Sequence, residues 1–196
     1  MRNRAIKVSL LLMMMFLLIL GKFRYEKINS LFPKTEIQNF TLGEEVEMEG
    51  DILMNDTMEG YSIKVESGQI LPYEAFLKEY NLEDVYSHVP EKIYLIEVIL
   101  RNKEAEFGTG VNLSELYLQK GAICASIDLN LYSEINTAIN GVYMIALRPD
   151  SEIRLRLPFA LYESNFSANT WTKLEQEQLS LVVTLYPTKK VIFIQE

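Results

Sequence analysis

The chain has little of what usually carries chemistry. Its 196 residues include one cysteine, Cys124, one histidine, His88, and one tryptophan, Trp171. A single cysteine excludes an intramolecular disulfide, and a single histidine excludes any multi-histidine metal site. Basic residues are also scarce, 19 against 27 acidic, for a net charge of −8. The imbalance is steeper along most of the chain. Residues 1–27 hold six basic side chains (Arg2, Arg4, Lys7, Lys22, Arg24, Lys27) against Glu26 alone, which leaves −13 for residues 28–196. So acidic a domain repels phosphate backbones, and no nucleic-acid partner is expected. Cationic or neutral partners suit it better. The length fits one domain with appendages, large enough to bury a core without a disulfide.

What is present begins with an apolar run. Arg2, Arg4 and Lys7 precede Val8–Leu20, which is broken only by Ser9, the layout that export machinery reads. The exit, Leu18-Ile19-Leu20-Gly21-Lys22, lacks the small residues of a cleavage site, and Lys22 stands where a lipidated cysteine would be. A retained signal-anchor or transmembrane segment over residues 1–21 is therefore expected, with cleavage as the alternative. Ile6 to Gly21 rises only about 24 Å against a hydrocarbon core of roughly 30 Å, so Lys7 and Lys22 would have to snorkel. Positive charges flank the run evenly. The short N-terminus favours a single pass of the cell membrane with the C-terminal domain extracytoplasmic. Residues 22–36, with Pro33 near their end, read as a juxtamembrane linker.

From residue 37 to 196 a period of two dominates. Val46 and Met48 alternate with Glu45, Glu47 and Glu49; Tyr61, Ile63 and Val65 share a face. Ile93–Leu100 is almost wholly apolar, as a central strand covered on both sides would be. Ile123, Ala125, Ile127, Leu129 and Leu131 alternate with Cys124, Ser126, Asp128 and Asn130, which predicts one long strand. Ile153, Leu155 and Leu157 repeat the pattern, and a final hairpin turns around Pro187-Thr188-Lys189. One stretch differs. Pro72 followed by Tyr73, Phe76, Leu77 and Tyr80 spells a short helix crossing between strands. The expected fold is mainly β: an immunoglobulin-like antiparallel β-sandwich with one short crossing helix, preceded by an N-terminal transmembrane helix.

These features carry a resemblance. The anchor, "FTLGEEVEMEG", "YSIKVESGQILPYEAFLKEYNL", "IEVILRNKE", "RLRLPFALYE" and "LVVTLYPTKKVIFI" resemble membrane-anchored immunoglobulin-like and telokin-like extracellular domains of unknown function in Gram-positive bacteria. The resemblance implies a fold and a surface location but no catalytic residue. Many such domains hang from a lipidated cysteine, and Lys22 is a departure from that pattern.

No residue is assigned a catalytic, cofactor-binding or metal-binding role. Cys124 and His88 could form a nucleophile pair, but nothing in sequence brings them together, and a strand-borne cysteine is usually structural. Glu45, Glu47 and Glu49 suit a solvated strand face; Asn55, Asp56 and Glu59 lack calcium-loop spacing. Gly108 and Gly110 have no lysine-hydroxyl pair behind them and read as a strand connection rather than a phosphate cradle. Sequons at Asn39, Asn55, Asn112 and Asn165 would suit a glycosylated ectodomain, although turn-rich composition explains them too. Trp171 suits a core plug better than a recognition anchor. The expected function is a non-enzymatic binding or envelope-associated module, using the membrane and an envelope or extracellular protein as partners. A loop-mediated inhibitor or immunity-type domain and an enzyme with a dispersed carboxylate site are the alternatives.

Overall fold

In the computed structural model the described residues are 2–30, 35–52, 58–84, 86, 88–104, 110–139, 141–176 and 179–194, with side chains from residue 11 onward. Two units divide the chain, residues 1–34 and 35–196. The first is a helix, α1 (Arg2–Asn29), which continues past the apolar run so that the start of the expected linker is helical. Among the described residues no helix is long and apolar enough to cross a membrane. The described side chains, 11–29, include Lys22, Arg24, Glu26 and Lys27, while Arg2, Arg4, Lys7 and the first residues of the run have side chains outside them.

The second unit is mainly β. Its strands are β1 (Glu36–Phe40), β2 (Glu45–Glu47), β3 (Tyr61–Pro72), β4 (Lys92–Asn102), β5 (Val111–Asn112), β6 (Tyr117–Lys120), β7 (Ile123–Ser126), β8 (Met144–Ile145), β9 (Ser151–Leu161), β10 (Ser180–Thr184) and β11 (Thr188–Phe193). Three helices accompany them: α2 (Tyr73–Tyr80), α3 (Leu129–Ile135) and α4 (Ala168–Thr172). One sheet runs β1-β11-β10-β6-β7, a second β2-β3-β4-β9, and a two-stranded ribbon joins β5 to β8. Both large sheets are open, and the first is mixed, because β1 lies parallel to β11. That pair corrects the expectation of a wholly antiparallel fold. The run β11-β10-β6-β7 follows the G-F-C-C′ order of an immunoglobulin variable-type sheet. In the other sheet three successive strands lie side by side, where the A-B-E-D order would put strand E beside B.

Register follows the apolar pattern, with one adjustment. Tyr61, Ile63 and Val65 face the core, and a bulge between Val65 and Ser67 then shifts β3 so that Gly68 and Ile70 face it too. Inner residues of both sheets meet in one cluster, including Val98, Leu100, Leu157 and Phe159 from one side and Leu118, Leu181 and Ile192 from the other. Gly68 is required there, since a Cβ would come within 3.0 Å of the Tyr94 hydroxyl and closer still to Ile194. Ile93–Ile96 is covered on both sides, as expected for the whole run, whereas Glu97 and Ile99 are half-buried on the outer face beyond the helices. Ile93 and Leu95 form a smaller cluster with Tyr73 and Phe76 of α2 and Leu131 of α3.

The second crossing helix is the main departure from the alternating pattern. β7 stops at Ser126, and Asp128 then caps α3, its carboxylate accepting the amides of Asn130 and Leu131. Leu129 and Leu131 share a face only in a strand; in α3 they point apart, with Leu131 buried and Leu129 36 % exposed, and the Asx cap decides for helix. Past the end of α3, the Asn136 carboxamide accepts the Arg156 amide at 3.0 Å and donates to the Arg156 carbonyl at 2.8 Å. It thereby occupies part of the free edge of β9 as a neighbouring strand would.

One buried cation links the sheets. Lys190 on β11 is 2 % exposed. Its ammonium donates to the Glu47 carbonyl at 2.8 Å and to Glu49 Oε2 at 2.5 Å, and makes an ion contact with Asp51 Oδ2 at 2.7 Å. Glu49 therefore leaves the face expected for Glu45 and Glu47; a left-handed backbone, φ 48°, turns it toward Lys190. Ile52 extends the junction by pairing with Tyr186. Burial lowers the Lys190 pKa, but the contacts with Asp51 and Glu49 outweigh it and raise the net value. The native state thus holds a proton that the unfolded chain releases near pH 10.4, and this stabilisation is full below that pH and lost as pH rises through the higher native value.

Two outcomes are expected from urea unfolding. Lys190→Met lowers stability by about 3–5 kcal/mol, because buried Asp51 is left unpaired, and it flattens the loss of stability above about pH 10.4. Gly68→Ala costs about 1–3 kcal/mol through overpacking against Tyr94 and Ile194.

Candidate functional site

The outer faces of the two large sheets differ. On the four-stranded sheet, α2 and α3 cover one part, and the remainder carries a ladder of opposite charges. Arg101 lies 2.6 Å from Glu152 and 3.3 Å from Glu45, Lys103 lies 2.6 Å from Glu47, and Arg154 lies 2.8 Å from Glu66. Arg156 adds a contact to Glu97 at 3.0 Å. Hydrogen bonding to Ser62, with Lys103 and Arg101 nearby, holds the Glu45 carboxyl below its ordinary range despite some desolvation. Glu45 and Glu47, read from sequence as a solvated strand face, are paired with Arg101 and Lys103.

Among the described residues no helix packs on the outer face of the five-stranded sheet, although Val182 and Val191 there are buried. Register places Ile37, Asn39, Tyr117, Gln119, Cys124, Ser126, Ser180, Val182, Lys189, Val191 and Phe193 on its outer face. None is a carboxylate. A shallow groove of ≈ 460 Å³ crosses this face from β1 to β6, lined by Ile37, Asn39, Val191, Phe193, Ser180, Gln119, Lys189 and the Lys120-Gly121 turn. Lys189 donates to Gln119 Oε1 at 2.7 Å, bridging above β10. The groove is thus apolar at its floor and cationic at its rim.

A second cluster gathers tyrosines and carboxylates around α2. Tyr73 donates to Asp84 Oδ1 at 3.0 Å, and the Tyr86 amide uses the same oxygen at 3.1 Å. Tyr86 donates to Asp128 Oδ1 at 2.6 Å, beside the two capping amides. The Tyr73 and Tyr86 rings meet edge to face at 6.1 Å. Burial, and then the Asp84 hydrogen bond, pushes the Tyr73 phenol up to about 12; burial and Asp128 likewise push Tyr86 up. Phenols that stay protonated and carboxylates engaged by structural donors make a clasp between α2 and α3.

The residues weighed from sequence fall as follows. Cys124 is exposed on edge strand β7 and lines a concavity of ≈ 300 Å³ with Ser126, Asp128, Tyr162 and Asn165. His88 stacks on Tyr162, rings 5.0 Å apart and 7° from parallel, so both residues border Tyr162 without a hydrogen bond between them. Gly110 leads into β5, while Gly108, Asn55, Asp56 and Pro33 lie outside the described residues. Asn39 and Asn165 are exposed, whereas Asn112 is engaged with Ser114 and Glu115. Trp171 packs against the main core, with Phe166 beside it and the Lys92 ammonium 5.3 Å from its ring. Among the described residues no group of three or more His, Cys, Asp or Glu side chains could hold a metal ion. The outer groove and the Lys190 junction were not singled out in the sequence; only the alternation of Lys189 and Lys190 within an apolar strand hinted that one of them turns inward.

Fold and site together define a mainly β domain whose least occupied surface is a sheet face. Residues 37–190 match the model of a domain of unknown function (DUF5028), and the chain belongs to that family. No curated protein and no solved structure matches it.

The tyrosine clasp is tested by Tyr86→Phe, which is expected to lower stability by about 1–2 kcal/mol in urea unfolding, since Asp128 loses a charge-assisted hydrogen bond. In an absorbance titration of the native protein, Tyr73 and Tyr86 are expected to ionise well above pH 10. The native state keeps protons that the unfolded chain releases there, so stability falls as pH climbs from about 10 toward 12.

Proposed function

We propose that this protein is a membrane-tethered, extracytoplasmic, non-enzymatic binding module. α1 serves as its single-pass anchor, and the outer face of the five-stranded sheet serves as its contact surface for an envelope or extracellular protein. The observation that carries the reading is the contrast between the two sheets: one outer face is covered by helices and paired charges, and among the described residues the other carries neither a helix nor a carboxylate from its strands. A sheet face without a helix across it, with Ile37 61 % exposed, is the natural place for a partner. The basic residues ahead of Val8–Leu20 support the tether. α1 stays helical past the apolar run to Asn29, which would place Lys22, Arg24 and Lys27 at the headgroups beyond a short, snorkelling span. The G-F-C-C′ strand order supports kinship with immunoglobulin-like extracellular domains of Gram-positive bacteria. The engaged carboxylates around Tyr73 and Tyr86 favour binding over catalysis.

Protease shaving of intact cells that express the chain with a C-terminal tag tests the placement. The tag is expected to be removed from intact cells while α1 stays in the membrane fraction. Protection until lysis would overturn the orientation, and recovery of the tag in the medium would overturn the anchor.

A further inference from the structure

We propose that the groove on the five-stranded sheet takes an extended segment of a partner protein in which acidic and apolar residues adjoin, with one carboxylate on Lys189. The proposal rests on the assignment of that face as the contact surface, and charge complementarity selects the occupant. The domain is strongly acidic, yet its strands place no carboxylate on this face. Lys64, Lys92, Arg101, Arg154, Arg156 and Lys190, the other cations of the long strands and of β11, each have a carboxylate within 4 Å. Lys189 instead meets the neutral Gln119 carboxamide. An ammonium has three donors, and this contact uses one of them.

Surroundings strengthen the case. Lys189 is half-buried, and Ile37, its register partner, is 61 % exposed with Val191 and Phe193 beyond it. A carboxylate seated there between apolar side chains is partly withdrawn from water, where an ion pair is screened less than on open surface. Outside the groove the negative domain repels an acidic segment, which slows its approach and confines favourable contact to Lys189, a local exception to the domain's general suitability for cationic or neutral partners. A basic segment meets the reverse: general attraction to the domain, and like charge at the groove.

The test uses the full chain in detergent micelles, panned against a phage library of random dodecapeptides, with Lys189→Glu and Ile37→Asp panned in parallel. Both substitutions are at solvent-facing positions, and circular dichroism checks that the fold is kept. Wild type is expected to enrich peptides with Asp or Glu next to apolar residues. The best of them, measured by fluorescence anisotropy, is expected to bind Lys189→Glu at least about tenfold more weakly. Lys189→Glu itself is expected to enrich peptides with Lys or Arg in place of the acids. Peptides without acids that still lose binding to Ile37→Asp would overturn the acidic chemistry and leave the face standing. Peptides insensitive to both substitutions would overturn the face as well. No enrichment, together with concentration-dependent self-association abolished by Ile37→Asp, would assign the groove to a second copy of the chain and overturn the proposal.

Discussion

The ammonium of Lys190 holds the two sheets in one register. A sheet pair joined only by apolar side chains can slide, because apolar contact has no direction. A buried charge permits no such slip: it must keep its acceptors or become an isolated ion in a dry interior. Glu47, Glu49 and Asp51 all lie on the segment that leaves β2, so one side chain of β11 fixes where that segment runs. The Ile52–Tyr186 bridge and the Thr188 amide on Asp51 follow from that placement. At the far edges, the Asp128 amide donates to the Pro158 carbonyl and the Asn136 carboxamide covers Arg156, so the arrangement is secured at both margins.

This framework explains why the two outer faces came to differ. Helices that cross a sheet must lie on one side of it, and α2 and α3 both lie on the four-stranded side. The uncovered part of that sheet uses a strand ladder of alternating charge, which keeps it soluble and its charges mutually engaged. The five-stranded sheet received neither device. Its outer valines, Val182 and Val191, are buried as members of the main core cluster, while Ile37 is 61 % exposed.

Much of the fold was legible in the residues, and the failures have physical causes. Ile93–Leu100 read as a doubly covered strand, which holds for its first half, and Pro72 with its i, i+3, i+4, i+7 spacing read as a helix start, which α2 is. Leu129 and Leu131 continue the spacing of two by chance, so the alternation ran on past its true end at Ser126, although in α3 Leu129 is exposed and the buried face runs from Leu131 to Ile135. Lys190 could not be read as buried, because its partner Glu49 lies 141 residues away. The groove was hidden for a related reason. Alternation shows that a strand has two faces, but not which face a crossing helix will claim.

The parallel pairing of β1 with β11 has a consequence for the order of assembly. In a sheet built from successive hairpins, each strand finds its neighbour soon after it is made. Here the first strand of the domain waits for the last, across a loop that spans nearly the whole domain. Closing so long a loop costs entropy before any contact repays it, which places the fold among slow, high-contact-order topologies. Until β11 arrives, β1 and the junction around Asp51 have nothing to dock on, so assembly of the domain is withheld until its final strand has been synthesised.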